Sequence, residues 1–482
     1  MKIQFVFAPP VKEPLAGQLS EGIWPPMGIL YLAGYIRDRV PKTAVKITDG
    51  LLLGYEETVK DIISFTPDML CISYVTLVAT DAYKLIDQIK SQNPRIVIIT
   101  GGPHATALPK EAIEESRADI TVIGEGEETL RELVVNFKGA AVENLSAIKG
   151  IVYRDNNIPV VNEIRPYITD IDSIPVPAWD LVNINNYRGW FLFKQKPEAS
   201  IFMSRGCPFD CTYCSNQVWN CSSPKLRLRL PAKVADEFEY LHKRFGFKEF
   251  FDNSDEFNND ISNANNICKE LVKRNLKISW KTQMRAAPIS EELVANMKEA
   301  GCWYVHLGIE SVNPKTVKGI RKYITREQVI HACKLLKKYD IKILGLFMFN
   351  NVWETKGKLE FETVEDSKKT LRFARMLVRK RLLDFIAASI TTPYPGSELY
   401  DIAVRHKLIK PKYHKKWDKW LREDYFIMKL PGVDESQQAR LRTKAYLTQF
   451  MCMVRSGNIG IKDAGYFLHK GLQFVKNELS TR

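Results

Sequence analysis

The sequence predicts an α/β protein: an N-terminal doubly wound, Rossmann-like sheet, then a partial (β/α)6 TIM barrel, then a mostly helical C-terminal region. Apolar runs of strand length alternate with amphipathic stretches over residues 1–140, and the alternation returns over residues 196–400. Residues 141–195 are irregular and proline-rich, which indicates a linker with a small β element around Gly150–Arg154. Residues 401–482 show no such alternation, and we expect a basic helical domain there with a role in substrate recognition.

In the first region, near-continuous apolar runs have the length of buried parallel strands. The predicted strands are Lys2–Phe7, Ala44–Thr48, Met69–Tyr74, Arg95–Thr100 and Asp119–Ile123, and the predicted helices are Met27–Asp38, Glu56–Phe65, Asp81–Ser91 and Glu127–Phe137. Glycine-rich turns follow the fourth and fifth strands, at the edge where open α/β sheets bind ligands. No G-x-G-x-x-G follows the first strand, which argues against NAD or FAD.

The second region contains six strand–helix units. Its predicted strands are Ala199–Ser204, Glu249–Asp252, Ile278–Gln283, Tyr304–Gly308, Lys342–Phe349 and Asp384–Thr391. The helices between them are predicted at Lys233–Phe245, Ala264–Asn275, Glu291–Ala300, Arg326–Tyr339 and Thr363–Leu377. Six such units in succession indicate a partial barrel.

The net charge of +14 is unevenly distributed. Residues 401–482 hold 17 basic and 8 acidic residues, whereas residues 1–140 hold 14 and 18. A basic, aromatic stretch at 414–425 fits either a nucleic-acid contact or an amphipathic surface helix, and we favour the helix and expect no nucleic-acid partner. No apolar run reaches membrane-spanning length and no signal peptide is recognisable, so we expect a cytoplasmic monomer with no membrane partner.

Three of the nine cysteines form a compact motif. Cys207, Cys211 and Cys214 have the spacing C-x3-C-x2-C and directly follow the first barrel strand. Three thiolates in one short loop suit a [4Fe-4S] cluster with one iron left open, since such clusters favour thiolate ligands. The alternative is a zinc site with Cys221 as the fourth ligand, but no second CxxC pair accompanies it. We therefore leave Cys221 outside the cluster.

This motif, with an aromatic residue at Tyr213, resembles the defining motif of the radical S-adenosylmethionine (SAM) superfamily, and the likeness extends over residues 200–400. It implies that SAM binds the open iron and is cleaved to a 5′-deoxyadenosyl radical. The Gly308-Ile309-Glu310-Ser311 segment resembles the family's ribose-binding motif, and Thr392–Ser397 its closing motif. The implied SAM-binding residues are Tyr213, Asp252, Asn253, Ser254, Gln283, Arg285, Glu310 and Ser311. A surface salt bridge for Glu310, and structural roles for Gln283 and Arg285, remain open.

A doubly wound domain before such a barrel resembles the cobalamin (B12)-binding radical SAM proteins, specifically the class B methyltransferases. The resemblance covers residues 1–400 and implies a cobalamin site built from Pro26, Gly28, Ser73, Val75, Thr76, Leu77, Gly101, Gly102, Pro103, His104, Gly124, Glu125, Gly126 and Glu127. The sequence lacks the Asp-x-His-x-x-Gly motif that lends a histidine to cobalt. Val75, Thr76 or Leu77 would then face the lower side of the corrin, or pack as ordinary strand-end residues, and His104 would bond locally.

The resemblance implies methylation of an unactivated carbon, in which one SAM methylates cobalamin and a second yields the radical. The cofactors would be a [4Fe-4S] cluster, SAM and cobalamin, and the partners an external electron donor and a substrate such as a protein or peptide side chain. A non-methylating cobalamin enzyme that forms or rearranges a ring carries the same motifs. An RNA-modifying radical SAM enzyme and a non-enzymatic corrinoid or zinc carrier are further alternatives.

Overall fold

The protein is described by a computed structural model, which covers residues 1–11, 24–187, 193–218, 222–420 and 426–455. The chain divides into two compact units. The first unit comprises Met1–Trp280 with Thr392–Lys429, and the second comprises Lys281–Thr391 with Leu430–Arg482. The boundaries predicted at residues 140, 195 and 400 stay predictions.

The first unit contains a seven-stranded sheet with the order β2-β1-β3-β4-β5-β6-β7. Its strands are β1 (Lys2–Phe7), β2 (Ala44–Asp49), β3 (Met69–Ser73), β4 (Val97–Gly101), β5 (Ile120–Val122), β6 (Ile151–Asp155) and β7 (Ile158–Val161). The first five are parallel, and the order reverses between β1 and β3. In open α/β sheets, the loops at the carboxyl edge diverge at this reversal. The crevice between them is where a ligand binds.

Seven helices accompany this sheet: α1 (Met27–Arg39), α2 (Gly50–Leu53), α3 (Tyr55–Phe65), α4 (Ala79–Gln92), α5 (Pro103–Ala107), α6 (Pro109–Glu114) and α7 (Glu127–Val135). The four predicted helices are confirmed as α1, α3, α4 and α7, each within two residues at either end. The periodicity located them because each buries one apolar stripe, as α4 does with Leu85, Ile86 and Ile89.

The small β element predicted around Gly150–Arg154 is the hairpin of β6 and β7. It joins the sheet as an antiparallel extension, since Ile120 of β5 pairs with Tyr153 of β6. The prediction of an irregular linker was therefore incomplete: part of residues 141–195 belongs to the first sheet.

The remaining elements of the first unit are β8 (Glu198–Ile201), β9 (Ser204–Arg205), β10 (Arg227–Leu228), α8 (Pro231–Phe245), β11 (Glu249–Asp252), α9 (Ile261–Arg274) and α14 (Glu398–Arg405). Strands β8 and β11 are parallel, and β9 and β10 are antiparallel. Helix α8 begins at a proline and ends at Gly246 with φ +73°, and the Asp260 side chain caps α9. These local signals explain why the sequence located both helices.

The segment Thr392–Lys429 contributes to the core of the first sheet. Tyr413, Trp417, Trp420 and Ile427 are buried in one hydrophobic cluster with residues of β1, β3, β4 and α4. An amphipathic helix over 414–425 was a wrong prediction for the described part, where Trp417–Lys419 form one 3-10 turn. Trp417 and Trp420 of this stretch are buried packing residues, so a base-stacking role for them loses its support.

The second unit repeats the strand–helix alternation. Its elements are the later part of β12 (Ser279–Arg285), α10 (Glu291–Glu299), β13 (Cys302–Glu310), α11 (Pro314–Gly319), α12 (Arg326–Lys338), β14 (Lys342–Phe349), β15 (Val352–Thr355), β16 (Lys358–Phe361), α13 (Val364–Arg379), β17 (Phe385–Ile390) and α15 (Glu435–Arg455). Strand β14 pairs in parallel with both β13 and β17. Within the part of the chain that the structure describes, no helix has the length and apolar composition needed to cross a membrane.

Candidate active site

The cysteine motif leaves β9 through a tight loop. Gly206 turns the chain with φ +82°, and the backbone amide of Cys214 donates to the carbonyl of Cys211 at 3.1 Å. Cys207 and Cys211 are buried, whereas Cys214 is partly exposed, and none of the three forms a disulfide. Cys221 lies outside the described residues. The loop thus presents three reduced thiols from eight consecutive residues.

The hydroxyl of Ser254 fixes the chain just before this loop. It accepts hydrogen bonds from the backbone amides of Met203 (2.8 Å) and Ser204 (3.0 Å) and donates to Asp252 at 2.6 Å. Both Asp252 and Ser254 are essentially inaccessible to solvent. These two residues, predicted to bind SAM, hold the backbone that leads into the cysteine loop. The backbone amide of Asn253 donates to the backbone carbonyl of Ile201 in β8.

The donor set of three thiols in one loop fits a [4Fe-4S] cluster. A cubane takes each thiolate on a different iron, so three cysteines leave the fourth iron open. Burial, followed by the charge of Glu256, raises the pKa of the Cys207 thiol to about 12. Iron would supply the positive charge that holds this thiolate.

The ligand-binding edge of the first sheet is set by strand register. Phe7, Ser73 and Gly101 lie side by side at the ends of β1, β3 and β4. Gly102 follows with φ +94°, and a Cβ there would lie 2.7 Å from Ser73 Oγ and 3.0 Å from the carbonyl oxygen of Tyr74. Only glycine therefore lets the β4 turn approach the end of β3 this closely.

Elsewhere along this edge the backbone is bare. Outside its own helix, a Cβ at Gly28 would meet no atom of the described residues within 4 Å, and one at Gly101 would meet only Val122, at 3.9 Å or more. Gly28 is exposed at the start of α1, next to Pro26. This open space beside the strand reversal fits a large planar ligand such as a corrin.

His104 is fully buried and is committed to local hydrogen bonds. Its Nδ1 lies 3.2 Å from Thr76 Oγ1, and its Nε2 lies 3.2 Å from the Tyr83 hydroxyl and 3.5 Å from Glu111. The ring of Trp417 packs against it at 5.0 Å. With both nitrogens engaged, the imidazole serves to fix the 3-10 turn Thr76–Val78, as the local-bonding hypothesis expects. Val75 and Leu77, on either side of Thr76, are partly buried.

The carboxylates of Glu125 and Glu127 are engaged by arginines. Glu125 binds Arg205 (3.2 Å) and Arg227 (2.7 Å), and Glu127 binds Arg205 at 2.7 Å. The Gly124–Glu127 turn between β5 and α7 is therefore attached to β9 and β10 on either side of the cysteine loop. A cobalamin contact of Glu125 or Glu127 stays a prediction.

Gln283, Arg285, Glu310 and Ser311, which are also predicted to bind SAM, lie in the second unit, whereas Tyr213 lies in the first unit and is partly buried. Glu310 ends β13 with φ +59°, at an irregularity in the pairing with β14, and Lys322 Nζ lies 3.5 Å from its carboxylate. A Cβ at Gly308 would lie 2.7 Å from this amine and 3.0 Å from Glu310 Oε1. The Glu310 ion pair is thus buried, not superficial, and it sits over a glycine that makes room for it. The guanidinium of Arg285 donates to the carbonyl of Lys322.

Ser311 has a structural partner. Its hydroxyl donates to Glu362 at 2.8 Å and lies 3.1 Å from Thr370 Oγ1. Glu362 is buried and also accepts from the side-chain amide of Asn351 at 3.0 Å. Gln283 is partly buried on β12. The two adjacent residues therefore differ in their contacts. Glu310 lies at the end of β13 and pairs with Lys322, whereas the Ser311 hydroxyl bonds to Glu362 and Thr370.

Sequence reasoning missed four charged residues that shape the site: Arg205, Arg227, Lys322 and Glu362. Arg205 had a usable signal, because it directly precedes the cysteine loop. The other three lie far along the chain from their partners, and only the fold brings Arg227 to Glu125 across 102 positions.

Comparisons with known proteins assign the N-terminal region and the cysteine-containing region each to a protein family. The family model described as "B12 binding domain" matches residues 16–134, and the one described as "Radical SAM superfamily" matches residues 201–361. A Pyrococcus horikoshii protein named uncharacterized methyltransferase PH0819 is 32% identical over 430 residues, covering 89% of this chain and 88% of the relative. The anaerobic magnesium-protoporphyrin IX monomethyl ester cyclase of Rubrivivax gelatinosus is 30% identical, covering 79% and 66%.

Solved structures share the fold. The radical SAM methyltransferase TsrM from Kitasatospora setae, with tryptophan and aza-SAM bound, matches with a TM-score of 0.67 at 16% identity, covering 93% of this chain and 88% of TsrM. The cobalamin-dependent enzyme OxsB, with aqua-cobalamin and SAM bound, matches with a TM-score of 0.66 at 18% identity, covering 93% and 65%. The predicted fold class is confirmed.

These findings confirm the expected cofactors, namely cobalamin, SAM and a [4Fe-4S] cluster, at the level of the family. The coverage of PH0819 excludes a match confined to one domain. The chain is a member of the cobalamin-binding radical SAM enzymes.

Proposed function

We propose that the protein is a methyltransferase that methylates an unactivated carbon and consumes two molecules of SAM, one as methyl donor and one as radical source. The observation that carries this proposal is that the cysteine loop and the bare edge of the first sheet belong to one compact unit and are joined by buried ion pairs. Such an arrangement suits a reaction that needs both cofactors at one substrate.

When bound, the cofactors supply a methyl carrier and a source of a carbon-centred radical. The residues of the chain supply placement. Cys207, Cys211 and Cys214 would hold the cluster, with Asp252 and Ser254 fixing the strand end before them. Holding reactants in a productive geometry is where an enzyme of this kind gains its rate, since no side-chain base is required at an sp3 carbon.

The named relatives support methyl transfer and also its main rival. PH0819 carries the name of a methyltransferase, and so does the structurally similar TsrM. The relative from Rubrivivax gelatinosus is a cyclase at nearly the same identity, which favours ring formation as the second candidate. The two candidates differ in products, because only methyl transfer converts SAM to S-adenosylhomocysteine.

The test is a product analysis of the reconstituted enzyme with SAM, cobalamin and a one-electron donor. Methyl transfer predicts S-adenosylhomocysteine and 5′-deoxyadenosine together, in amounts that rise with a methyl acceptor. Formation of 5′-deoxyadenosine without S-adenosylhomocysteine would contradict methyl transfer and leave the cyclase candidate. Formation of neither product, with the cluster intact, would contradict both candidates.

For the substrate, we propose a protein or peptide side chain. Support comes from the surface of residues 405–416, where Arg405, Lys407, Lys412, Lys415 and Lys416 are exposed. Lys415 pairs with Glu115 at 2.7 Å, but the stretch as a whole is strongly basic and suits an acidic segment of a polypeptide. Acidic peptides are therefore the acceptors to supply first in the product analysis.

A further inference from the structure

Four charged side chains form a closed cluster in the first unit, which we name the clamp: Glu125, Glu127, Arg205 and Arg227. Arg227 makes a two-pronged contact with Glu125, at 2.8 Å to Oε2 and 2.7 Å to Oε1. Arg205 reaches Glu125 Oε1 at 3.2 Å and Glu127 Oε1 at 2.7 Å. Formal charges within the clamp sum to zero.

The clamp is largely removed from water. Its side chains are exposed by only 17% (Arg205), 4% (Arg227), 12% (Glu125) and 6% (Glu127). Charges that are buried this deeply are costly unless each has a partner, so removal of one member leaves an uncompensated charge in a poorly screened environment. The aromatic rings of Tyr31 and Tyr167 lie 5.3 Å and 4.5 Å from the guanidiniums of Arg205 and Arg227.

The glutamates stabilise the two arginines in their positions. Arg205 and Arg227 are directly opposite each other in the antiparallel pair of β9 and β10, where like charges repel. Glu125 bonds to both guanidiniums and so offsets this repulsion. A carboxylate from the turn after β5 thus stabilises the two-residue pairing of β9 with β10.

The position of β9 connects the clamp to the cluster ligands. Arg205 is separated from Cys207 by Gly206 alone, which limits the distance between their Cα atoms to about 7 Å. On the other side, Glu125 and Glu127 belong to the turn that follows β5 and opens α7. The clamp is therefore one contact through which the cobalamin-domain edge reaches the start of the cysteine loop.

We propose that Glu125 and Glu127 are positioning residues of the cysteine loop, and that the balanced charge of the clamp tunes the reduction potential of the cluster held there. Iron–sulfur potentials respond to net charge and burial around the cluster. Reduction makes the cluster more negative. An unpaired arginine stabilises the reduced cluster and so raises its reduction potential, whereas an unpaired glutamate destabilises it and lowers the potential. This inference depends on the presence of the cluster and not on the reaction proposed above.

The experiment is a potentiometric titration of the reconstituted full chain, followed by electron paramagnetic resonance of the reduced cluster. Glu125→Gln leaves one arginine charge in excess and should raise the potential, whereas Arg227→Gln leaves one glutamate charge in excess and should lower it. The double variant Glu125→Gln/Arg227→Gln restores neutrality and should return the potential towards that of the wild type. Cobalamin affinity, measured by absorbance, should change by no more than a few-fold in each variant.

A matched control lies on α7, the helix that begins at Glu127. Glu132 of α7 pairs with Arg165 at 2.5 Å, and Arg165 otherwise donates to Thr129 and to the Lys149 carbonyl, so the pair contacts no member of the clamp. Glu132→Gln should therefore leave the cluster potential unchanged. The charge-preserving variant Glu125→Asp provides a form that retains the clamp's balance if the neutral variants fold poorly, and it should stay close to the wild-type potential.

Three outcomes would overturn the proposal. Shifts of the same sign in both single variants would mean that loss of structure, and not charge, acts on the cluster. An unchanged potential in both would separate the clamp from the cluster. Loss of cobalamin affinity with an unaltered cluster would assign Glu125 and Glu127 to the cobalamin site instead.

Discussion

Replacement of Cys211 by alanine should remove the iron–sulfur cluster and with it all formation of 5′-deoxyadenosine. A cubane with a SAM-binding iron has only three protein thiolates, so the loss of one leaves two irons without protein ligands. The loop is otherwise held by Ser254 and Asp252, which do not depend on the cysteine, and the fold should persist. Iron analysis, the visible absorbance of the cluster and a product assay measure the three effects.

The matched control for this variant is Cys221→Ala, because Cys221 is the remaining cysteine close to the motif. We expect it to retain iron and radical formation. Iron loss in Cys221→Ala, with retention in Cys211→Ala, would contradict the assignment of Cys207, Cys211 and Cys214 as ligands. Cys333, which is buried in α12, offers a second control whose replacement acts on packing alone.

Gly28→Trp should abolish cobalamin binding without unfolding the protein. A side chain at Gly28 would extend into space where no atom of the described residues outside its own helix lies within 4 Å of the Cβ position. An indole there would occupy the volume that we assign to the corrin. Since the residue lies within α1, loss of glycine should stabilise the helix by several tenths of a kcal/mol.

A smaller side chain at the same position distinguishes the block of the cobalamin site from the gain in helix stability. Gly28→Ala should keep cobalamin binding and gain the same helical stability, because its methyl group fits the open space. Absorbance titration with cobalamin and thermal unfolding of both variants are the measurements. Normal cobalamin affinity in Gly28→Trp would show that the corrin lies elsewhere on the domain.

The sequence predicted the strands and helices well because their signals are local. The bounds of β1, β11 and β14 were predicted to the residue, since each is a short run of mainly apolar residues that opens at a charged residue. The cysteine motif carried the cluster assignment for the same reason, as all its ligands lie within eight positions.

Contacts between distant segments could not be predicted in this way. Residues 413–427 contain basic residues at their surface and large aromatic residues at irregular spacing, and nothing local shows that Trp417 packs against His104. Likewise, Glu125 and Glu127 matched a family motif, but their arginine partners become visible only in the fold. Long-range pairing of charges has no period in the sequence, and so the clamp had no signal.

A single chain should carry both an iron–sulfur cluster and cobalamin. The most direct test is the cofactor content of the full chain after anaerobic reconstitution, measured as iron, acid-labile sulfide and cobalamin per chain. We expect about four iron, about four sulfide and about one cobalamin. Zinc in place of iron, or a complete cluster on a chain that binds no cobalamin at saturation, would contradict this expectation.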